Sequence, residues 1–231
     1  MPDRRFSLQA SKRMALYVNY NYFIFDMDGT LADTSPGVFA GVRLTLREMG
    51  EPPVPENELH RFIGPPLHQS FHDICGMDEK KAMEATLRFR SFYKVKGVFQ
   101  SNLYSGMETL LRTLKADGHK LMVATLKREE QAKRLVNHLG IADCFTAVVG
   151  SDDAEQRTKK DTIEIAMSLS GISSCEGVLM IGDSEFDAIG AAQAGVDFCA
   201  ATYGFGLPPE ALKKHPYKLQ IASPLELLEK I

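Results

Sequence analysis

Asp26 and Asp28 are the residues of this chain best placed to do chemistry. The apolar run Tyr22 to Phe25 ends in Asp26-Met27-Asp28-Gly29-Thr30, which reads as a buried strand stopped by a turn. Side chains two apart on a strand face the same side. Two carboxylates are therefore brought together at the carboxyl end of a strand, and their repulsion calls for a counter-charge, most simply a divalent cation. An Asp-Gly turn alone accounts for Asp28 and Gly29 but not for Asp26, which stands where another apolar residue is expected.

Three further positions in the chain pair with this one. Thr125 closes the apolar run Lys120 to Thr125, with Leu126 and Lys127 following. Gly182-Asp183-Ser184 closes another run, and Asp187 lies four positions after Asp183, on one face if a helix begins there. Lys159 and Lys160 open a helical pattern downstream of Gly150. Gathered at one sheet edge, these groups meet the needs of phosphoryl transfer. One carboxylate attacks phosphorus, and a second carboxyl protonates the leaving oxygen and later takes a proton from water. A hard cation with oxygen ligands, which suits Mg²⁺, offsets the charge. A hydroxyl, a lysine and backbone N–H groups hold the phosphoryl oxygens. Neither the dinucleotide glycine fingerprint nor the P-loop occurs in the chain.

The elements that position these groups alternate along the chain. Apolar runs at 120–125, 147–150, 177–183 and 196–201 are separated by amphipathic patterns at 108–116, 129–139, 161–169 and 185–194. Near-continuous apolar strands alternating with helices predict an α/β fold, a Rossmann-like parallel sheet with helices on both faces and ligands beyond the carboxyl ends of the strands. One interval is too long: Asp28 and Thr125 end consecutive strands, yet a crossover needs only about a dozen residues or somewhat more. Residues 33–103 are therefore read as an inserted all-helical cap, with 20–32 and 104–231 forming the core. Ser35-Pro36, Pro65-Pro66 and Asp78 are its helix starts, and Gly50, Gly76 and Gly97 its stops. Leaving the sheet beside the paired aspartates, the insert has the geometry of a lid.

Composition narrows the class. The 231 residues are 44% hydrophobic and 25% charged, with a net charge of -3, which indicates an ordinary globular chain with no general pull toward nucleic acid or anionic membrane. No apolar run has transmembrane length. Four scattered cysteines lack paired or metal-site spacing and point to a reducing, cytoplasmic setting. Residues 1–19 are basic and without an apolar signal core, and they read as an extension outside the fold.

Asp26 to Thr34 resembles the first motif of the aspartate-nucleophile phosphatases in the haloacid dehalogenase superfamily. Val123-Ala124-Thr125 resembles the second motif, the lysine near 159 the third, and Ile181 to Asp187 the fourth. The segment Phe62 to Leu67, with Tyr93 to Gly97, is similar to the phosphoglycolate phosphatase and 5′-nucleotidase branch. The resemblance implies Asp26 as nucleophile and Mg²⁺ ligand. It implies Asp28 as general acid/base that also offers the metal its backbone carbonyl, and Asp183 as third protein ligand. Asp187 would orient water or lysine from behind, and Thr125, Leu126 and Lys159 would bind the phosphoryl group. Leu126 departs from the small polar residue usual there, and Thr158-Lys159-Lys160-Asp161 departs from the usual Lys-Pro; the lysine of choice is Lys159. Gly64 and Arg61 are candidate substrate contacts in the cap. His60, His68 and His72 read as surface or packing residues. The expected partner is a small phosphorylated metabolite. The expected reaction is hydrolysis; a phosphomutase of the same fold is the alternative, and a phosphate-binding or signalling module the non-enzymatic one.

Overall fold

The computed structural model describes residues 19–152 and 156–231. Residues 1–18, nearly all of the expected extension, lie outside them.

The chain opens with strand β1 (Tyr22–Phe25), enters the insertion through the short β2 (Ala32–Asp33), and continues as helices α1 (Ser35–Glu48), α2 (Leu67–Cys75) and α3 (Glu79–Val95). Strand β3 (Asn102–Leu103) returns antiparallel to β2, pairing Ala32 with Leu103 and Asp33 with Asn102, so the way in and the way out share one ribbon. The local chemistry explains these helices. Pro36 begins α1, the Asp78 carboxylate accepts the N–H of Lys81 to cap α3, and Gly76 in the left-handed region ends α2. Buried Ala82, Ala85, Phe89 and Tyr93 recur at helical spacing along α3, which packs on both α1 and α2.

Helix α4 (Met107–Ala116) then leads into β4 (Lys120–Arg128), α5 (Glu129–His138), β5 (Phe145–Ser151) and α6 (Lys159–Leu169). β6 (Val178–Gly182), α7 (Glu185–Ala194), β7 (Asp197–Ala201), the short α8 (Pro209–Leu212) and β8 (Leu219–Ile221) complete the core. The larger sheet has six strands in the order β5-β4-β1-β6-β7-β8, and every pairing in it is parallel. The alternating pleat separates its two apolar faces: Phe23 and Phe25 join one core with Leu110, Leu111 and the insertion, whereas Ile24, Met122 and Met180 join the other with Ile163 and Ala191. This is the α/β, Rossmann-like sheet with a helical insert expected from the alternation.

Three local differences from the sequence reading have physical causes. α6 extends two residues ahead of the amphipathic stretch at 161–169, to the Lys159 that opens the pattern, because the Thr158 side chain and Asp161 cap each other reciprocally and bring Lys159 into the first turn. β4 runs on to Arg128 through an irregularity between Ala124 and Arg128, which carries polar residues past the point where the apolar run stops. β8 has only three residues, Leu219–Ile221, too short a stretch for alternation to mark a strand. Among the described residues, no helix is long and apolar enough to cross a membrane.

Candidate active site

Strand β1 lies between β4 and β6, and Phe25 registers with Val123 on one side and Ile181 on the other. The residues just beyond these register partners, Asp26, Thr125 and Asp183, therefore come together at one carboxyl edge. It is also the switch point of the sheet, since the chain winds outward to β4 and β5 and then crosses to β6, which opens a crevice there.

Asp26 is buried, its N–H donating to the Ile181 carbonyl at 2.9 Å. Lys159, from the first turn of α6, brings its Nζ to 2.6 Å from Asp26 Oδ1 and to 2.6 Å from Asp187 Oδ1, and it donates to the Ala124 carbonyl at 3.0 Å. Asp187 serves two ends of its own carboxylate: Oδ2 accepts the Ser184 N–H and hydroxyl at 3.0 and 2.6 Å, closing the capping box of α7, while Oδ1 meets the lysine. Asp183 Oδ1 accepts the Thr30 hydroxyl at 3.0 Å, and its Oδ2 accepts the Phe205 N–H at 2.7 Å. Gly29 has φ +84°, and a Cβ there would run into the Asp183 carboxylate, so the turn after β1 requires glycine on both counts.

Oxygens of Asp26, Asp183 and Asp187 all lie within 4.8 Å of one another. Burial pushes the Asp26 carboxyl up to about 6, with Asp187 and Asp28 adding to the rise and Lys159 opposing it. Burial raises Asp183 well above the usual carboxylate range too, aided by Asp187 and Asp26. Burial would draw Lys159 down, yet Asp187 and Asp26 outweigh it and the ammonium stays charged. Three buried carboxylates thus face one ammonium. An excess of negative charge built wholly from hard oxygen donors fits a Mg²⁺ ion.

Asp28 is turned away from this trio. Its carboxylate accepts from Lys127 Nζ at 2.8 and 3.0 Å, and that ammonium lies 4.8 Å from the centre of the Tyr93 ring on α3. Burial opposes the charge on Lys127, and Asp28 more than restores it, so its pKa is raised. The carboxylates that cluster are therefore Asp26, Asp183 and Asp187, without Asp28. Lys127 and Tyr93 were not singled out from the sequence as site residues. Lys127 sits two positions past Thr125, where a continuing strand returns a side chain to the same face, and that spacing was the available signal.

Asp26, Asp28, Asp183, Lys127, Lys159 and Tyr93 border a cavity of about 510 Å³ between the sheet edge and the insertion, while Asp187 meets Lys159 outside its lining. Thr125, Leu126, Lys159 and Gly64 line it. Lys160 pairs instead with Glu164 on the outer face of α6. Arg61 requires a correction: it is not among the cavity's lining residues but pairs with Glu58 beside a separate, smaller cleft. It occupies the last turn of a 3₁₀ segment, Glu56–Phe62, whose inner positions Leu59 and Phe62 are buried, and this directs Arg61 outward.

Residues 23–201 match the family of haloacid dehalogenase-like hydrolases. Among curated proteins, a 5′-nucleotidase of Pseudomonas aeruginosa is 34% identical over 92% of this chain and 97% of its own length. The tyrosine-protein kinase PtkA of Mycobacterium tuberculosis is 36% identical over 79% of this chain and 62% of its own, and a phosphoglycolate phosphatase of Cereibacter sphaeroides is 32% identical over 80% and 87%. The solved structure of a predicted phosphatase from Clostridium acetobutylicum superposes with a TM-score of 0.83 at 38% identity, covering 91% of this chain and 97% of that one. By sequence and by fold together, the chain belongs to the haloacid dehalogenase-like hydrolase family.

Proposed function

We propose that this protein is a phosphatase that hydrolyses small phosphomonoesters with Mg²⁺, through a phosphoryl group carried for a time on Asp26. The observation that carries the reading is the buried Asp26 carboxylate, gripped by Lys159 at one oxygen and bordering a cavity shared with Asp28, Thr125 and Asp183. The relatives named 5′-nucleotidase and phosphoglycolate phosphatase support it.

Lys159 fixes Asp26 Oδ1, and Oδ2 is the attacking atom. It bonds to phosphorus as the bond to the leaving oxygen breaks, and the leaving oxygen takes a proton from Asp28, which enters this step as the carboxylic acid and not as the carboxylate paired with Lys127 in the free protein. Water then attacks the same phosphorus and gives its proton to Asp28. The bond to Asp26 breaks, inorganic phosphate departs, and both carboxyls are restored. Thr125 Oγ1 already accepts the Lys127 N–H at 3.2 Å, so its own proton is available to a phosphoryl oxygen, beside the N–H of Leu126. Asp187 keeps Lys159 aimed at Asp26. Asp26, Asp183 and the Asp28 carbonyl would hold Mg²⁺, which would supply charge neutralisation at the phosphoryl oxygens. Residues 33–103 act as the cap that excludes bulk water from the acyl phosphate.

The test is phosphate release from a panel of small phosphomonoesters, with Mg²⁺ and with EDTA, by wild type and Asp26→Asn. Release is expected from wild type with Mg²⁺ alone, and Asp26→Asn is expected to lose about a thousandfold or more in kcat. Release that persists in Asp26→Asn would refute the nucleophile. A phosphorylated isomer of the substrate, in place of inorganic phosphate, would make the protein a mutase.

A further inference from the structure

Both oxygens of Asp183 are held by neutral donors. Oδ1 accepts the Thr30 hydroxyl and Oδ2 the Phe205 N–H, whereas Asp26 and Asp187 share the Lys159 ammonium. A neutral donor fixes a carboxylate in place and leaves its negative charge uncancelled, which is what a cation ligand needs. The two donors come from separate segments, the turn after β1 and the loop after β7. Tyr203 joins those segments. It lies two residues before Phe205 in the loop, and its hydroxyl donates to the Thr30 carbonyl at 3.0 Å. Between them, Gly204 is pressed so closely on Asp183 and on the Gly29 carbonyl that a Cβ would collide with both. On its other side, Tyr203 meets the ring of Tyr104 edge-on, with centroids 4.9 Å apart and planes at 64°. Tyr104 follows β3 directly and donates its N–H to the Leu31 carbonyl at 3.3 Å, so it stands where the insertion rejoins the core.

Phe205 borders the cavity, but neither Tyr203 nor Tyr104 is among its lining residues. Whatever Tyr203 does at the site, it does through other groups. A packed tyrosine needs one acceptor for its hydroxyl, and many carbonyls would serve. What singles out Tyr203 is that its acceptor residue and its own loop hold the two oxygens of one carboxylate. That carboxylate needs holding, because its oxygens lie within 4.8 Å of those of Asp26 and Asp187, and like charges push one another apart. We propose that Tyr203 is a positioning residue for the cation site: it braces Asp183 by clamping the Thr30 turn to the loop at 202–206, and Tyr104 seats it at the base of the insertion. Asp183 is thereby set in place before the cation arrives. The inference rests on the Mg²⁺ reading of the carboxylates.

The test is isothermal titration calorimetry of MgCl₂ into the full chain freed of metal with EDTA. Tyr203→Phe keeps the ring and loses only the bond to the Thr30 carbonyl, and it is expected to raise the Mg²⁺ dissociation constant about tenfold. Phosphate release from p-nitrophenyl phosphate, weak in this variant at low Mg²⁺, is expected to recover as Mg²⁺ is raised. Tyr104→Leu reads the same brace from its outer end and is expected to weaken Mg²⁺ binding by a smaller factor. The double variant is expected to match Tyr203→Phe, because Tyr104 acts by seating the hydroxyl. Tyr217→Phe, which alters an exposed tyrosine outside the cavity, is expected to bind Mg²⁺ as wild type does. An unchanged dissociation constant in Tyr203→Phe overturns the brace even if the variant melts earlier in EDTA, since a merely structural tyrosine would lower the Tm and leave the affinity alone. Losses that add fully in the double variant overturn the part assigned to Tyr104. A wild type that takes up no Mg²⁺ refutes the cation reading itself, and the brace falls with it.

Discussion

Lys127 is the residue whose loss separates the two carboxylates at the end of β1. It neutralises Asp28 in a pocket where the two side chains are only 10% and 17% exposed. Lys127→Met is therefore expected to cost about 2 kcal/mol of stability in urea unfolding, and adding Asp28→Asn to recover part of it, because the penalty comes from a charge left without its partner. Simple additivity of the two losses would refute the pairing. Asp26 supplies a pH test. Its carboxyl holds a proton up to about 6 in the folded protein against an ordinary value of 3.8. Between these values the folded state binds more protons than the unfolded one, so stability falls as pH rises through the window. In EDTA, the Tm of Asp26→Asn should therefore gain on that of wild type from about pH 4 to about pH 7. A variant Tm that falls relative to wild type as pH rises through that window would contradict the raised Asp26 pKa.

At the scale of elements, two helix starts do the positioning. The capping box of α6 brings Lys159 into the first turn, and that of α7 orients Asp187 through Ser184. The same hydrogen bonds that begin each helix thus aim a charged group at the sheet edge. Ser184→Ala removes the hydroxyl that Asp187 Oδ2 accepts at 2.6 Å. It should cost about 1 kcal/mol of stability, the usual value of an N-cap, and it should also raise the Mg²⁺ concentration needed for half-maximal activity. A change in stability with no change in the Mg²⁺ requirement would reduce Ser184 to a cap alone.

At the scale of the whole molecule, the cavity lies where the insertion meets the core, and specific contacts span that junction. Lys94 near the end of α3 pairs with Glu130 on α5 at 3.1 Å, and Arg134 donates to the Lys94 carbonyl at 2.6 Å. Tyr93, one residue earlier, lies over Lys127. The end of α3 is thus tied to the core beside Asp28, and the antiparallel β2–β3 ribbon joins the two parts at the base. Since the carboxylate trio is complete only when the sheet is folded, the proposed Mg²⁺ site would exist in the native state and not in the unfolded one. Addition of Mg²⁺ should raise the Tm by an amount that grows with concentration, corresponding to about 3 kcal/mol at a hundred times the dissociation constant. Asp183→Asn should abolish that shift in differential scanning calorimetry, and an equal shift in the variant would remove Asp183 from the cation site.

What the sequence by itself determined is what local patterns encode: strands and helices in alternation, the two aspartates at the end of β1, and the helix starts of the insertion at Pro36, Pro66 and Asp78. Each of these follows from residues close together in the chain, through periodicity, capping and backbone restriction. Tertiary structure decided the partners. Adjacent lysines 159 and 160 are nearly equivalent as letters, and only the packing of α6 against β4 and α7 sends one inward to Asp26 and the other out to Glu164. The pairing of Lys127 with Asp28 depends on β4 lying directly beside β1, a neighbour relation set by the strand order of the whole sheet. Arg61, expected at the substrate, is carried away from it by the burial of Leu59 and Phe62 on the other side of its turn. Side chains far apart in the chain meet only where competition for the core leaves them, and that competition involves every element at once.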